Sequence, residues 1–462
     1  WEPLSVSIRY REPPTRSGRR LMIQTDTLVS MIGEDPLLSA VEQKYYEETV
    51  QALNSDVFVG DLDDEHIRAL DRNEESAEDW QTFVRRMGEH DLLGIAVPEQ
   101  YNGGGGGFIE TVLAEQAIGY TGSIVHACQT SMTQHIGRTM YEHGTEYVKE
   151  EYLAPMCAGE CVVAQAFTEP DSGTDIAHLQ TSADRDGDEW VINGEKRFID
   201  FAPYADILFV PVRTAGDDGD RDGLSVLIVE GDSDGLEILE RHRDWHGFRG
   251  TGASWIAFDD VRVPAENVVG EEGNAWTYLT NELNLEHLTI SRYCLGAAER
   301  ALETAANYTE EREVNERRLS SYQGVNHKIA AMATRMDAAY LLNSRAARIL
   351  DRDGMSSGRM EGAMAKAFGN EIAHEIADAA MQVMGGISTT DKYDVERVQR
   401  DVRAGRFMGG ATEVMRSIVQ HDAYSRLHDE SFDRERVGNE RAPREEIGSP
   451  KQSSHGESRI QR

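Results

Sequence analysis

The stretch Gln165–Asp175, QAFTEPDSGTD, divides the chain into two kinds of pattern. Before it, apolar residues recur at helical spacing; after it, they alternate or run together as strands do. From Thr168 to Asp175 nothing is hydrophobic except Pro170. Short residues with available backbone N–H groups and hydroxyls can form a concave donor surface for an anion or a polar ring edge. An ordinary Pro/Gly turn between elements is the plainer reading.

Upstream, residues 37–58 and 62–93 have helical spacing, with Val41, Tyr45, Val50 and Leu53 in the first and Ile67, Leu70, Trp80, Phe83, Val84 and Met87 in the second. An acidic loop beginning at Asp61 separates them. Five glycines, 103–107, predict a loop able to come close to a ligand. It is not a P-loop, because Phe108 and Ile109 stand where Lys and Ser/Thr belong. Residues 108–140 and 144–159 are again helical.

Downstream, Asp186–Gly194 predicts a hairpin with glycine turns at 187 and 194. Runs beginning at Ile207, Leu224 and Trp255 predict further strands. Helical patterns return over 275–308, 322–351, 358–384 and roughly 405–427, which suggests a bundle. The expected fold class is α+β: an N-terminal helical domain (31–160), a middle antiparallel, barrel-like β domain (161–272) and a C-terminal four-helix bundle (273–427). Residues 1–30 and 428–462 are read as a tail or extra segment and a polar tail. Three layers meeting at one junction favour a ligand cleft there.

The 462 residues include 82 Asp and Glu against 47 Lys and Arg, for a net charge of −35. Such a surface repels nucleic acid and anionic membranes. With only seven lysines, it is the surface expected of a cytoplasmic protein working in concentrated salt. The chain contains no apolar run near the roughly 18 residues that span a membrane. The Arg-rich start lacks the apolar core of a signal peptide. Cys128, Cys157, Cys161 and Cys294 suggest neither a zinc site nor a disulfide framework. His126, His135 and His143 lack metal-ligand spacing, so no metal is expected.

Several runs together resemble the acyl-CoA dehydrogenase family of flavoproteins: Phe167–Asp175, Asn193–Asp200, Asp260–Gly270, Tyr322–Lys328, Gln382–Ile387 and Val395–Asp401. Each is weak alone, and their co-linear order carries the resemblance over residues 37–427. The resemblance implies FAD as cofactor, an acyl-CoA substrate, a trans-2-enoyl-CoA product and an electron-transfer flavoprotein as electron acceptor. It places Gln165, Phe167 and Thr168 along the flavin ring. Gly173 and Thr174 would lie toward the acyl-CoA or the flavin phosphates, and Phe198 to Asp200 against the isoalloxazine. Arg312, Gln382, Gly385 and Gly386 would reach FAD of a neighbouring subunit, implying a homodimer or homotetramer. Arg249, in the loop with Trp245 and His246, would meet FAD or substrate, or simply pack.

The base is the point of departure. Many members carry it as the glutamate of a Glu-Gly-Thr triplet following an Arg-Asp pair. Here Arg400-Asp401 leads to Gly409-Gly410-Ala411, which has no carboxylate. The isovaleryl- and long-chain-type branch places the base earlier, in Leu-x-x-Glu-Arg-Leu. Leu283-Asn-Leu-Glu286-His-Leu matches that pattern with His287 in place of arginine. Glu286 is therefore the expected base and His287 a substrate contact, with Glu282 and His287 as rival proton acceptors. Asp200 replaces a hydroxyl residue. Beside flavin it fits if its backbone N–H makes the contact or its acid is protonated. Polar residues His126, Gln129, Asn281 and Asn284 near the expected pocket floor favour a short, branched or functionalised acyl group. The alternatives are an oxidase on the same fold and a non-catalytic member used as a binding or assembly module.

Overall fold

The computed structural model describes residues 40–53 and 64–428. The expected N-terminal segment, most of the acidic loop and the C-terminal tail beyond 428 lie outside them.

The N-terminal layer holds α1 (Ala40–Leu53), α2 (Asp64–Asp71), α3 (Ala77–Glu89), α4 (Phe108–Tyr120) and α5 (Ile124–His143), followed by short helical turns at Glu146–Val148, Lys149–Leu153 and Ala154–Cys157 over the expected helical stretch 144–159. The segment expected as one helix over 62–93 is two. The chain turns at Asn73, whose φ is 56°, and restarts at Ser76. The Ser76 hydroxyl accepts from the Asp79 N–H, and the Asp79 carboxylate accepts from the Ser76 N–H. This capping box satisfies two helix-end donors. Trp80, Phe83, Val84 and Met87 then bury one face. The pattern over 108–140 likewise breaks at Thr121–Ser123, between α4 and α5. The glycine loop packs on its own chain rather than on a cavity: the N–H groups of Gly104, Gly105 and Gly106 donate to the carbonyls of Gly94, Val97 and Ile95.

The middle layer is a curled seven-stranded sheet: β1 (Val163–Gln165), β2 (Ser182–Asp186), β3 (Glu189–Ile199), β4 (Ile207–Arg213), β5 (Leu224–Glu230), β6 (Leu236–Arg241) and β7 (Ser254–Pro264). Its order is β1-β4-β2-β3-β7-β6, with β5 on β4. The expected antiparallel pattern is modified at β4, which pairs parallel with β2 through Ser182 and Arg213 and with β1 at the edge. β1 runs parallel to β4, pairing Val163 with Ile207 and Gln165 with Phe209. β1 enters from the helical layer rather than through a hairpin, which leaves its direction unconstrained by a tight turn. Gly187 makes the β2–β3 turn, but Gly194 does not turn. It sits inside β3 at a register shift, where a Cβ would meet the Thr181 Cα at 2.7 Å.

The C-terminal layer holds α6 (Ala275–Glu311), α7 (Gln323–Asp353), α8 (Arg359–Met384), α9 (Val395–Val402) and α10 (Thr412–His428). The 37-residue α6, about 55 Å long, packs on α4, α5 and α8 and is buried through most of its length. The expected last segment begins later than residue 405. A turn containing Gly409 and Gly410, with φ of 54° and 96°, precedes α10 and crosses the middle of α6. Among the described residues no helix is long and apolar enough to cross a membrane.

Candidate active site

A cavity of about 910 Å³ opens where the three layers meet. One wall is β1 with the loop after it. A second is the end of β3 with the loop between β6 and β7. The third is α6 with α5 and the Gly409–Gly410 turn.

The β1 loop is braced from beneath. Glu169 Oε1 accepts from Lys196 Nζ at 2.9 Å and from the Thr181 N–H at 3.0 Å, and its Oε2 accepts from the Gln180 N–H at 2.6 Å. Lys196 also donates to the Phe167 and Pro211 carbonyls. Both side chains of the pair are almost wholly buried. Burial opposes ionisation of Glu169, but Lys196 and the backbone donors prevail and lower its pKa below the usual carboxylate value. The loop so held turns Phe167, Thr168, Gly173 and Thr174 to the cavity.

Phe198, Ile199 and Asp200 line the second wall with Trp245 and Phe248. Phe198 adopts φ 62°, a costly conformation for an aromatic residue, and stands 48% exposed with its ring edge-on to Trp245. Asp200 Oδ1 accepts from the Thr251 hydroxyl at 2.6 Å. Burial raises the Asp200 carboxyl to about 6, against that hydrogen bond.

Glu286 projects from α6 into the cavity. Its Oε2 is buried and has no hydrogen-bond partner among the described residues. Burial raises its carboxyl to about 7; Glu282 adds to the rise, and His135 and Lys366 oppose it. The adjacent turn is pinned by two donors. His287 Nε2 lies 2.8 Å from the Gly409 carbonyl; a carbonyl only accepts, so Nε2 carries the proton. Burial lowers the His287 pKa to about 3 and keeps the ring neutral. Lys366 Nζ, also buried, donates to the Gly410 carbonyl. A Cβ at Gly409 would lie 3.1 Å from Glu286 Oε1 and 2.8 Å from Ile290 Cδ1. The glycine thus leaves the carboxylate its room.

Of the residues expected at the site, Gln165, Phe167, Thr168, Gly173, Thr174, Phe198, Asp200, Glu286 and His287 line this one cavity. Gln165 also ties back to α6, donating to Glu282 Oε1 at 2.7 Å. Arg249 is not on the wall; its Nε donates to the Trp245 carbonyl. Arg312 and Gly386 lie together in a separate hollow of about 490 Å³ with Tyr308 and Met384, while Gln382 and Gly385 are exposed near its rim. Of the four polar residues expected at the pocket floor, only Asn284 reaches the cavity. Its amide is engaged with the Met355 and Ser357 carbonyls. His126 packs instead among Trp80, Phe83 and His66, so of the residues behind the expectation of a short, branched or functionalised acyl group only Asn284 meets the cavity.

Two residues escaped the sequence reading. Lys196 and Lys366 are buried cations holding the two loops that frame the cavity. Their signal was present: a chain with only seven lysines retains these two within apolar strand and helix patterns.

The family model "Acyl-CoA dehydrogenase, N-terminal domain" matches residues 47–160, "middle domain" 164–261 and "C-terminal domain" 273–423. An acyl-CoA dehydrogenase of Bacillus subtilis is 34% identical over 337 residues, covering 73% of this chain and 88% of the relative. The CarC subunit of the caffeyl-CoA reductase–Etf complex of Acetobacterium woodii is 31% identical, covering 76% and 91%. A solved structure of PigA with FAD and proline superposes with a TM-score of 0.76 at 25% identity, covering 85% of this chain and all of that one.

Proposed function

The chain belongs to the acyl-CoA dehydrogenase family, and from that premise we propose that it removes a proton and a hydride from the α and β carbons of an acyl-CoA thioester, with Glu286 as the base. It is an FAD-dependent enzyme. The residues present suit that cofactor. Phe167 on the first wall and Phe198 on the second offer apolar faces to a planar ring, and Thr168, Gly173 and Thr174 are short enough for close backbone approach. The Asp200 carboxylate is tied to Thr251 and retains a proton more readily than an ordinary aspartate. When bound, FAD supplies the acceptor for the β-hydride.

The observation that carries the reading is the unpartnered, buried carboxylate oxygen of Glu286 facing the cavity beside Gly409. A base for an α-proton must have an open lone pair facing the substrate site and a proton affinity matched to neutral pH. Glu286 has both. Glu282 does not reach the cavity and is engaged with His135 and Gln165. His287 is too weakly basic. The contact between position 409 and Glu286 accounts for the absence of a carboxylate there: both family positions for the base address the same point in space, and one suffices. This is the base placement of the isovaleryl- and long-chain-type branch.

Three further parts of the reading concern partners. Electrons pass to an electron-transfer flavoprotein, the kind of partner named for the CarC relative. The hollow at Arg312 and Gly386 receives part of the FAD of a second copy of the chain, so the working unit is a homodimer or homotetramer. A cavity of about 910 Å³ accepts the acyl–pantetheine arm, and its lining sets no chain length. The test is α-deuterium exchange between solvent and a bound, non-oxidisable acyl-CoA analogue. The wild-type protein exchanges it. Glu286→Gln binds the analogue and exchanges it roughly 10²–10⁴-fold more slowly; exchange at the wild-type rate would assign the base elsewhere.

A further inference from the structure

Glu282 stands one turn before Glu286 on α6 and is fully buried. Residues four apart on a helix lie on one face, about 5–6 Å apart at Cβ, so the two carboxyl groups share one dry region. At Glu282 Oε1 three layers of the protein converge. His135 Nδ1 of α5 lies 2.6 Å away, and Gln165 Nε2 of β1 donates at 2.7 Å. Glu282 Oε2 is buried with no hydrogen-bond partner among the described residues.

We propose that Glu282 is a positioning residue for the base: clamped by His135 and Gln165, it keeps the proton of the carboxyl pair and leaves Glu286 as the member that ionises into the cavity. The inference rests on Glu286 being the base. Two carboxylates side by side in a region of low dielectric cannot both ionise cheaply, so one retains a proton. The surroundings of the two groups decide which. A protonated Glu282 Oε1 donates to the lone pair of a neutral His135 and still accepts from Gln165, so every contact at that atom is satisfied. Either carboxylate, if ionised, leaves an oxygen with no donor at Oε2, so the enclosure sets the cost, and Glu282 is fully buried and does not reach the cavity. Glu286 faces the cavity and has the cation of Lys366 near it, so ionisation there costs less.

The surrounding groups agree. Facing Glu286 are Glu282 and Tyr293 from α6, His135 and Cys128 from α5, and Lys366 from α8. Burial keeps Tyr293 and Cys128 protonated and lowers His135 to about 4, so α5 presents a neutral ring. Burial raises Glu282 to about 8, against the hydrogen bond from Gln165, above the value near 7 for Glu286.

The experiment is infrared titration of side-chain carboxyl groups in the FAD-loaded protein, paired with the pH profile of flavin reduction by acyl-CoA. Wild type should show a buried protonated carboxyl that persists above pH 7. Fully buried Glu115 keeps a protonated carboxyl of its own, its pKa raised by burial, so all variants are read in a Glu115→Gln background, where the band should survive in Glu286→Gln and vanish in Glu282→Gln. The acid limb of flavin reduction should stay in place in Glu282→Gln, because a neutral amide replaces a neutral acid. An acid limb displaced downward by a unit or more would mean that Glu282 is the ionised member and would overturn the proposal, as would loss of the band in Glu286→Gln. If Glu282→Gln does not fold, the band in wild type and Glu286→Gln still decides. Near-normal flavin reduction by Glu286→Gln would instead sink the assignment of the base, a separate failure.

Discussion

Two buried carboxylates on different walls of the protein, Glu169 and Glu286, have opposite proton affinities. Glu169, beneath the β1 loop, gives both oxygens to donors and faces a buried ammonium; its proton affinity falls below normal. Glu286, on α6, leaves one oxygen bare; its proton affinity rises to about 7. Burial is common to both, so burial is not what makes a carboxylate reactive. The difference is in the partners: a satisfied carboxylate braces a loop, and an unsatisfied one remains available to a substrate proton. Glu282 lies between these cases, with one oxygen clamped and one bare.

The comparison can be broken first on stability. Glu169→Gln leaves Lys196 buried without its counter-charge and should cost roughly 3–5 kcal/mol, read as a drop in denaturation midpoint; a loss too small to measure would make the pair incidental. Glu286→Gln should have the opposite sign at alkaline pH. The native carboxyl holds its proton to about pH 7, whereas the unfolded one loses it near 4.3. Between these values folding is progressively penalised, and above pH 7 the penalty is complete. The amide is spared it and should be more stable than wild type by as much as about 4 kcal/mol at pH 8, with the gain vanishing near pH 4. For Glu169 the direction is reversed: its contribution is present above the unfolded pKa and is lost as pH falls through its lowered native value. Urea midpoints across pH test both signs together.

A smaller effect is expected at the glycine beside the proposed base. Gly409→Ala places a methyl group against Glu286 and Ile290 at a positive φ and should cost roughly 1–2 kcal/mol while slowing flavin reduction. An alanine variant with unchanged rate would show that the carboxylate does not need that space. The mildest change is Thr251→Val. It removes the hydroxyl that holds Asp200 and should raise the aspartate pKa further, because the hydrogen bond now lowers it; the pH dependence of the flavin spectrum would report this.

The helices, the strands and the position of Glu286 were legible because they depend on periodicity and on local runs of sequence. What was not legible depends on direction in space. Gln129 and Asn284 have similar helical surroundings in sequence, yet only Asn284 reaches the cavity. Gly194 reads as a turn residue and serves a close crossing of β3 over Thr181. Gly409 reads as a loss of the base, and only its distance to Glu286, across more than a hundred residues of chain, shows why the glycine belongs there. The Glu169–Lys196 brace lay inside two quoted runs, but a pairing between a loop and a strand 27 residues apart has no periodic signature.

The most direct test of the account is the visible spectrum of the FAD-loaded protein mixed anaerobically with a panel of acyl-CoA thioesters, for wild type and Glu286→Gln side by side. Wild type should bleach with at least one thioester, while Glu286→Gln should bind the same compound, shift its flavin band and stay yellow. Bleaching of the Glu286→Gln protein at a rate close to wild type would contradict the assignment on which the rest depends.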